Sequence, residues 1–162
     1  MSYLHIWNKT HPYLLTTEDQ IQRFCAYRER CLHEVEMKLK EWKVPSGKSK
    51  KIIQQLIAEG FVNEERFSRS FVRGKFLNNH WGRTKISYEL RFRGIHDSLI
   101  SLALNELNEA DYFTGLKNLI EKKRKEIKPG KNFIIREKLI NFALGKGFEF
   151  ELISKALNEM KI

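Results

Sequence analysis

The sequence predicts an all-α fold: three tandem three-helix repeats forming an elongated right-handed-helix array. Three observations predict it. A capping residue backed by acids recurs three times, an apolar pair one helical turn apart follows each, and a doubled apolar signature closes each copy. No alternating run long enough for strands competes, and the three prolines (Pro12, Pro45, Pro129) all fall in expected connections, where a missing N–H is harmless.

Residues 1–16 form an N-terminal arm with Tyr3, Trp7, His11 and Tyr13 in no clear period. The first repeat, 17–62, opens on Thr17 as cap, with Glu18 and Asp19 behind it and apolar Ile21 and Cys25 four and eight positions on. Its second helix carries Val35 and Leu39, its turn falls at Val44 without a glycine, and PSGKSK (45–50) reads as an inserted connection. The third helix shows Ile52, Ile53, Leu56 and Ile57, a spacing that covers one face for two turns.

The second repeat, 63–107, starts at Asn63 with Glu64 and Glu65, and places Phe67, Phe71 and Val72 on one side. After a break at Asn78 and Asn79, Trp81 and Gly82 lead into a helix with Ile86 and Leu90, closed by Gly94 as a left-handed cap before Ile95. Leu99, Ile100, Ala103 and Leu104 mark its third helix. The third repeat, 108–162, has cap Asn108, acids Glu109 and Asp111, and apolar Tyr112 and Leu116. A long connection, KKRKEIKPGKN (122–132), follows. Leu139 and Ala143, the turn at Gly147 and Phe148, and Leu152, Ile153, Ala156 and Leu157 complete the copy.

Charge is concentrated in the middle. From Arg66 to Arg93 there are eight basic side chains (Arg66, Arg69, Arg73, Lys75, Arg83, Lys85, Arg91, Arg93) against Glu89 alone, a net of +7 out of +10 for the chain. Arg66, Arg69 and Arg73 share a helix face by spacing. So much charge cannot be neutralised within the window, and it is expected to face outward toward phosphates or an acidic partner. The plainer alternative is a solvated surface in which Glu89 meets Lys85 and Arg93.

Phe76, Trp81 and Tyr88 sit amid this charge and could stack bases. Packing is the commoner use of aromatics, so Phe67, Phe71 and Phe92 are expected in the core, with Trp81 open between the two roles. A second basic run, Lys122, Lys123, Arg124, Lys125 and Lys128, is equally suited to binding or to plain solvation.

The five histidines show no metal-ligand spacing, and Cys25 and Cys31 are too few and too far apart for zinc or for a disulfide scaffold. No phosphate-binding glycine loop or nucleophile elbow occurs, so neither enzyme activity nor a cofactor is expected. With no targeting segment and no run near roughly 18 apolar residues, the reading is a cytoplasmic protein without a membrane partner.

The segments EERF, FVR and WGRTKISYELRFRGI, with AYRERCLHEVEMKL before them and REKLINFALGKGF after, resemble the RecX family of RecA regulators over about residues 17–160. Lys85 stands where that family usually has arginine, and Cys31 where it commonly has a small hydroxyl residue. The resemblance implies a monomer that lies along RecA filaments on single-stranded DNA. It implies modulation, in the inhibitory sense, of recombinase, ATPase and co-protease activity, and so a role in regulating DNA repair, recombination and the SOS response. The residues expected to make the contact are Arg66, Arg69, Arg73, Lys75, Trp81, Arg83, Lys85, Arg91 and Arg93. The alternative is a helix-turn-helix DNA-binding module without RecA contact, which the stretch HDSLISLALN disfavours because it contains no Arg or Lys.

Overall fold

The structure, a computed structural model, describes residues 15–162; most of the arm expected over 1–16 lies outside the described residues. Those described residues form nine α-helices and no strands. In chain order they are α1 Thr17–Tyr27, α2 Leu32–Glu41, α3 Ser46–Ala58, α4 Glu64–Asn79, α5 Arg83–Phe92, α6 Asp97–Leu104, α7 Glu109–Glu126, α8 Asn132–Gly145 and α9 Phe150–Glu159. The chain divides into two compact units, one ending at Phe67 and one of Ser68–Ile162. No helix among the described residues is long and apolar enough to cross a membrane.

In the first unit, Ile21 and Cys25 of α1, Val35 and Leu39 of α2, and Ile52 and Leu56 of α3 join Val62 in one buried cluster. Each pair is spaced four apart, one helical turn, so each helix presents a single stripe inward. The cap of α1 is Thr16, one residue before the expected Thr17: Asp19 N donates to Thr16 Oγ1 (3.1 Å) and Thr16 N to Asp19 Oδ2 (3.1 Å), a reciprocal box that Thr17 has no acid three residues on to make. The PSGKSK stretch is not a loop. It is helical from Ser46, with Pro45 at the cap position, where its lack of an N–H is no loss, and Ser49 N donating to Pro45 O (2.9 Å). The insertion therefore lengthens α3 at its N-terminal end.

The turn after each repeat's second helix closes with the same hydrogen bond. Val44 N donates to Leu39 O, Ile95 N to Leu90 O and Phe148 N to Ala143 O, at 3.0, 3.1 and 3.2 Å. The residue before each donor is left-handed: Lys43 at φ 56°, Gly94 at 77° and Gly147 at 87°. Lys43 bears the Cβ strain that the other two avoid, at about 1–2 kcal/mol. Lys43→Gly is expected to stabilise the first unit by about 0.5–1 kcal/mol, once the greater freedom of glycine in the unfolded chain is subtracted. Urea denaturation measures it, and a loss of stability would contradict the strain.

In the second unit, α5 and α6 bury Ile86, Leu90, Ile100 and Ala103, while α7, α8 and α9 pack against one another through Leu116, Leu119, Ile120, Leu139, Ala143, Ile153, Ala156 and Leu157. The Tyr112 ring lies 5.4 Å from Phe76 and 5.2 Å from Phe148, centroid to centroid. Helix α7 continues to Glu126, so the expected connection over 122–132 shrinks to 127–131. Basic residues are welcome in a last turn, opposite the negative end of the helix dipole, and Lys123–Glu126 (2.9 Å) and Lys125–Glu121 (4.0 Å) pair along its surface. Phe67 is buried and Phe71 half-buried, but Phe92, expected in the core, is 71 % exposed. It stands two residues beyond Leu90, about 200° around the helix from the buried stripe. Phe76 is buried against Tyr112, so it serves packing rather than offering an exposed ring for a base.

Candidate functional site

The basic window is held by an unusual cap. Helix α5 begins after Gly82 with no side-chain cap. Instead, Gly82 N donates to Lys146 O (2.8 Å) and Thr84 N to Gly147 O (3.1 Å), so the turn after α8 supplies the acceptors. Arg83 N donates to the Tyr112 hydroxyl (2.8 Å), which itself donates to Glu149 Oε2 (2.8 Å). The N–H groups of Gly82, Arg83 and Thr84 are thus satisfied by backbone and by a buried phenol. Burial, reinforced by the Glu149 carboxylate, pushes that phenol's pKa above its ordinary value and keeps it a donor.

The approach requires glycine on both sides. A Cβ on Gly82 would stand 2.2 Å from Gly147 O, and one on Gly147 would stand 2.3 Å from Lys85 Cβ. Two glycines 65 positions apart give no sequence signal of this contact beyond their suitability for turns.

On this frame the sequence-predicted cations separate into groups. Arg66 donates to Glu29 Oε1 (2.6 Å) and to Gly60 O (2.9 Å) within the first unit. In the second unit Arg69 pairs with Glu106, Arg83 with Glu109 (2.6 Å) and Glu149 (3.8 Å), Arg91 with Asp97 (2.6 Å) and Arg93 with Glu89 (2.6 Å). The expectation of an unneutralised stripe is therefore corrected: five of its six arginines meet the chain's own carboxylates. Only Glu89 lies inside the window. Glu29, Asp97, Glu106, Glu109 and Glu149 come from outside it, most from 26 to 66 positions away, where no local count of charge could find them.

Lys75, Lys85 and Trp81 form the second group. The Lys75 and Lys85 ammonium groups lie over the Trp81 ring, 4.8 and 4.7 Å from its centroid. Lys75 also reaches the Phe71 ring (5.2 Å), and Arg93 covers the same ring at 5.0 Å. Lys85 Nζ is 3.5 Å from Gly145 O. Neither lysine makes an ion pair among the described residues. Each stem packs along a ring while its charge stays at the surface, which assigns the open Trp81 to a half-buried shelf between two cations.

Arg73 stands apart. It makes no ion pair among the described residues and, two residues before Lys75, points about 200° away from it around α4. It lines a groove of about 470 Å³ with Phe76, Leu77, His80, Leu107 and Asp111. The nine expected residues are thus divided between internally paired arginines, the lysine–tryptophan shelf, and a lone arginine on another face. Tyr88, one of the aromatics amid the central charge, is 67 % exposed on α5. Among the described residues no group of three or more His, Cys, Asp or Glu side chains could hold a metal.

Comparison with known proteins gives consistent likenesses. Residues 63–104 match the family model described as "RecX, second three-helix domain", and residues 110–157 match that of the third three-helix domain. Regulatory protein RecX of Bacillus cytotoxicus is 25% identical over 138 residues, covering 85% of this chain and 51% of that protein. The protein of the same description from Mycolicibacterium smegmatis is 31% identical over 99 residues, covering 59% and 53%. The crystal structure of RecX from Lactobacillus salivarius superposes with a TM-score of 0.79 at 23% identity, covering 89% of this chain and 94% of that one. A second crystal structure, of regulatory protein RecX, gives 0.79 at 20% identity, covering 87% and 70%. At those identities the structural likeness speaks to the fold. The chain spans about half the length of the curated relatives it matches.

Proposed function

The chain belongs to the RecX family, and from that premise we propose that it binds RecA filaments on single-stranded DNA and lowers their recombinase, ATPase and co-protease activity. In this reading it acts in the cytoplasm as a monomer, with no catalysis and no cofactor of its own. The observation that carries it is the alignment of about 85% of this chain with proteins described as regulatory protein RecX.

In this reading the contact falls on the lysine–tryptophan shelf. With most arginines of the central window matched internally, and Arg73 set on another face, the shelf offers two neighbouring cations on α4 and α5 for an acidic protein surface or for phosphates. An aromatic face flanked by two ammonium groups suits either, because both cations are already positioned and lose little side-chain freedom on binding.

The test measures RecA ATPase and filament light scattering on single-stranded DNA, with and without this protein, at two salt concentrations. The expected result is inhibition at substoichiometric protein, weakened by salt to the extent that phosphates are contacted. Tight duplex binding with no change in RecA activity would overturn the proposal in favour of a DNA-binding module.

A further inference from the structure

The residues between Lys122 and Lys138 carry eight basic side chains against Glu126 and Glu137, a net of +6 over the end of α7, the connection 127–131 and the start of α8. Here internal pairing is sparse. Lys123 meets Glu126, Lys125 approaches Glu121, and Arg136 is held by Asn158 Oδ1 (2.9 Å) and the Ile162 carbonyl. Lys122, Arg124, Lys128, Lys131 and Lys138 make no ion pair among the described residues, and all five are exposed. The central window shows the reverse. Lys123, Lys128 and Lys138 line a groove of about 490 Å³ with Ile127, Asn141 and Glu126, the last already paired with Lys123. Phe133, in the first turn of α8 within the same segment, is 72 % exposed.

We propose that this segment is a second contact surface, one that takes the phosphodiester backbone of a single nucleic-acid strand, with Phe133 as a stacking face for a base. Four of the five available cations are lysines, compact point charges without the planar fork that selects paired carboxylates, and so suited to a line of phosphates. A lone exposed aromatic within such a field is the feature that separates strand binders from duplex binders, since bases are open for stacking only in the strand. A membrane surface fits less well. The exposed large apolar side chains of α8 are Phe133 and Ile134 in its first turn and Leu144 in its last, too few and too far apart for the continuous apolar face that lies in a lipid interface. The surface goes beyond the proposed regulation of RecA, and its assay contains no RecA, so either can fail without the other.

The experiment measures binding of a fluorescent oligothymidine by the full chain across a salt series. It compares the chain with a variant carrying Lys122→Gln, Lys128→Gln, Lys131→Gln and Lys138→Gln, all exposed positions, and with Phe133→Ala. The expected quadruple-variant result is an affinity loss of about tenfold or more at low salt and a salt slope shallower by roughly 1.5–3, from up to about 0.7 per phosphate contact removed. Phe133→Ala should weaken strand binding about fivefold with the slope unchanged, because stacking releases no counterions. An unchanged slope in the quadruple variant, or no strand binding by the unaltered chain, overturns the proposal. So does duplex bound as tightly as strand with Phe133→Ala silent. So would binding to phosphatidylserine vesicles that the oligonucleotide does not compete away, which would assign the segment to lipid.

Discussion

Gly147→Ala is expected to destabilise the second unit by about 2–5 kcal/mol, a large share of the roughly 5–15 kcal/mol typical of a domain. Two costs combine. Gly147 holds φ +87°, where a side chain costs about 1–2 kcal/mol, and its new Cβ would lie 2.3 Å from Lys85 Cβ, an overpacking cost of about 1–3 kcal/mol. Each cost has its own control. Gly94 has nearly the same backbone, φ +77°, with nothing within 4 Å of its would-be Cβ, so Gly94→Ala isolates the conformational cost at about 1–2 kcal/mol. Gly82 has ordinary φ but would drive its Cβ to 2.2 Å from Gly147 O, so Gly82→Ala isolates the clash. Chemical denaturation of the three variants orders them. If Gly147→Ala is no worse than Gly94→Ala, α5 does not approach the turn after α8 as described.

Lys75→Glu combined with Lys85→Glu is expected to raise the protein concentration needed for half-maximal inhibition of RecA ATPase by at least about tenfold, near 1.4 kcal/mol, with helical content unchanged. Both lysines flank one ring and neither meets a carboxylate among the described residues, so reversing them inverts the shelf's field without breaking a pair. Arg69 is a poorer probe. Reversing it would set a carboxylate against Glu106 and perturb packing along with any binding. Undiminished inhibition by the double variant would remove the shelf from the proposed contact.

Much of the fold was legible because the signals that specify it are local. The buried pairs Val35 and Leu39, Ile86 and Leu90, and Leu139 and Ala143 are one turn apart in sequence and therefore on one face whatever surrounds them. Gly94 and Gly147 announced their turns for the same reason. Local ambiguity accounts for the small misses. Two adjacent threonines at 16 and 17 differ as caps only through the position of Asp19, and a lysine-rich stretch ending at Glu126 reads as a connection although a helix C-terminus accommodates it.

The candidate site was less legible, because what decides it is distant in sequence. Whether Arg69 or Arg83 is available depends on Glu106, Glu109 and Glu149, which local arithmetic over residues 66–93 does not count. Trp81 needed the positions of Lys75 and Lys85 on two different helices before its role could be assigned. The basic run at 122–128 drew less weight than the central window, yet it retains more of its charge, since few acids lie near it in space or in sequence.

The first amides of α5 end on acceptors from the bend after α8 and on the hydroxyl of Tyr112, all contributed by the copy that follows. A helix finished by its neighbour has no separate melting point. Hydrogen exchange at Thr84 should therefore report the opening of the whole Ser68–Ile162 body, with the middle copy and the last behaving as one foldon.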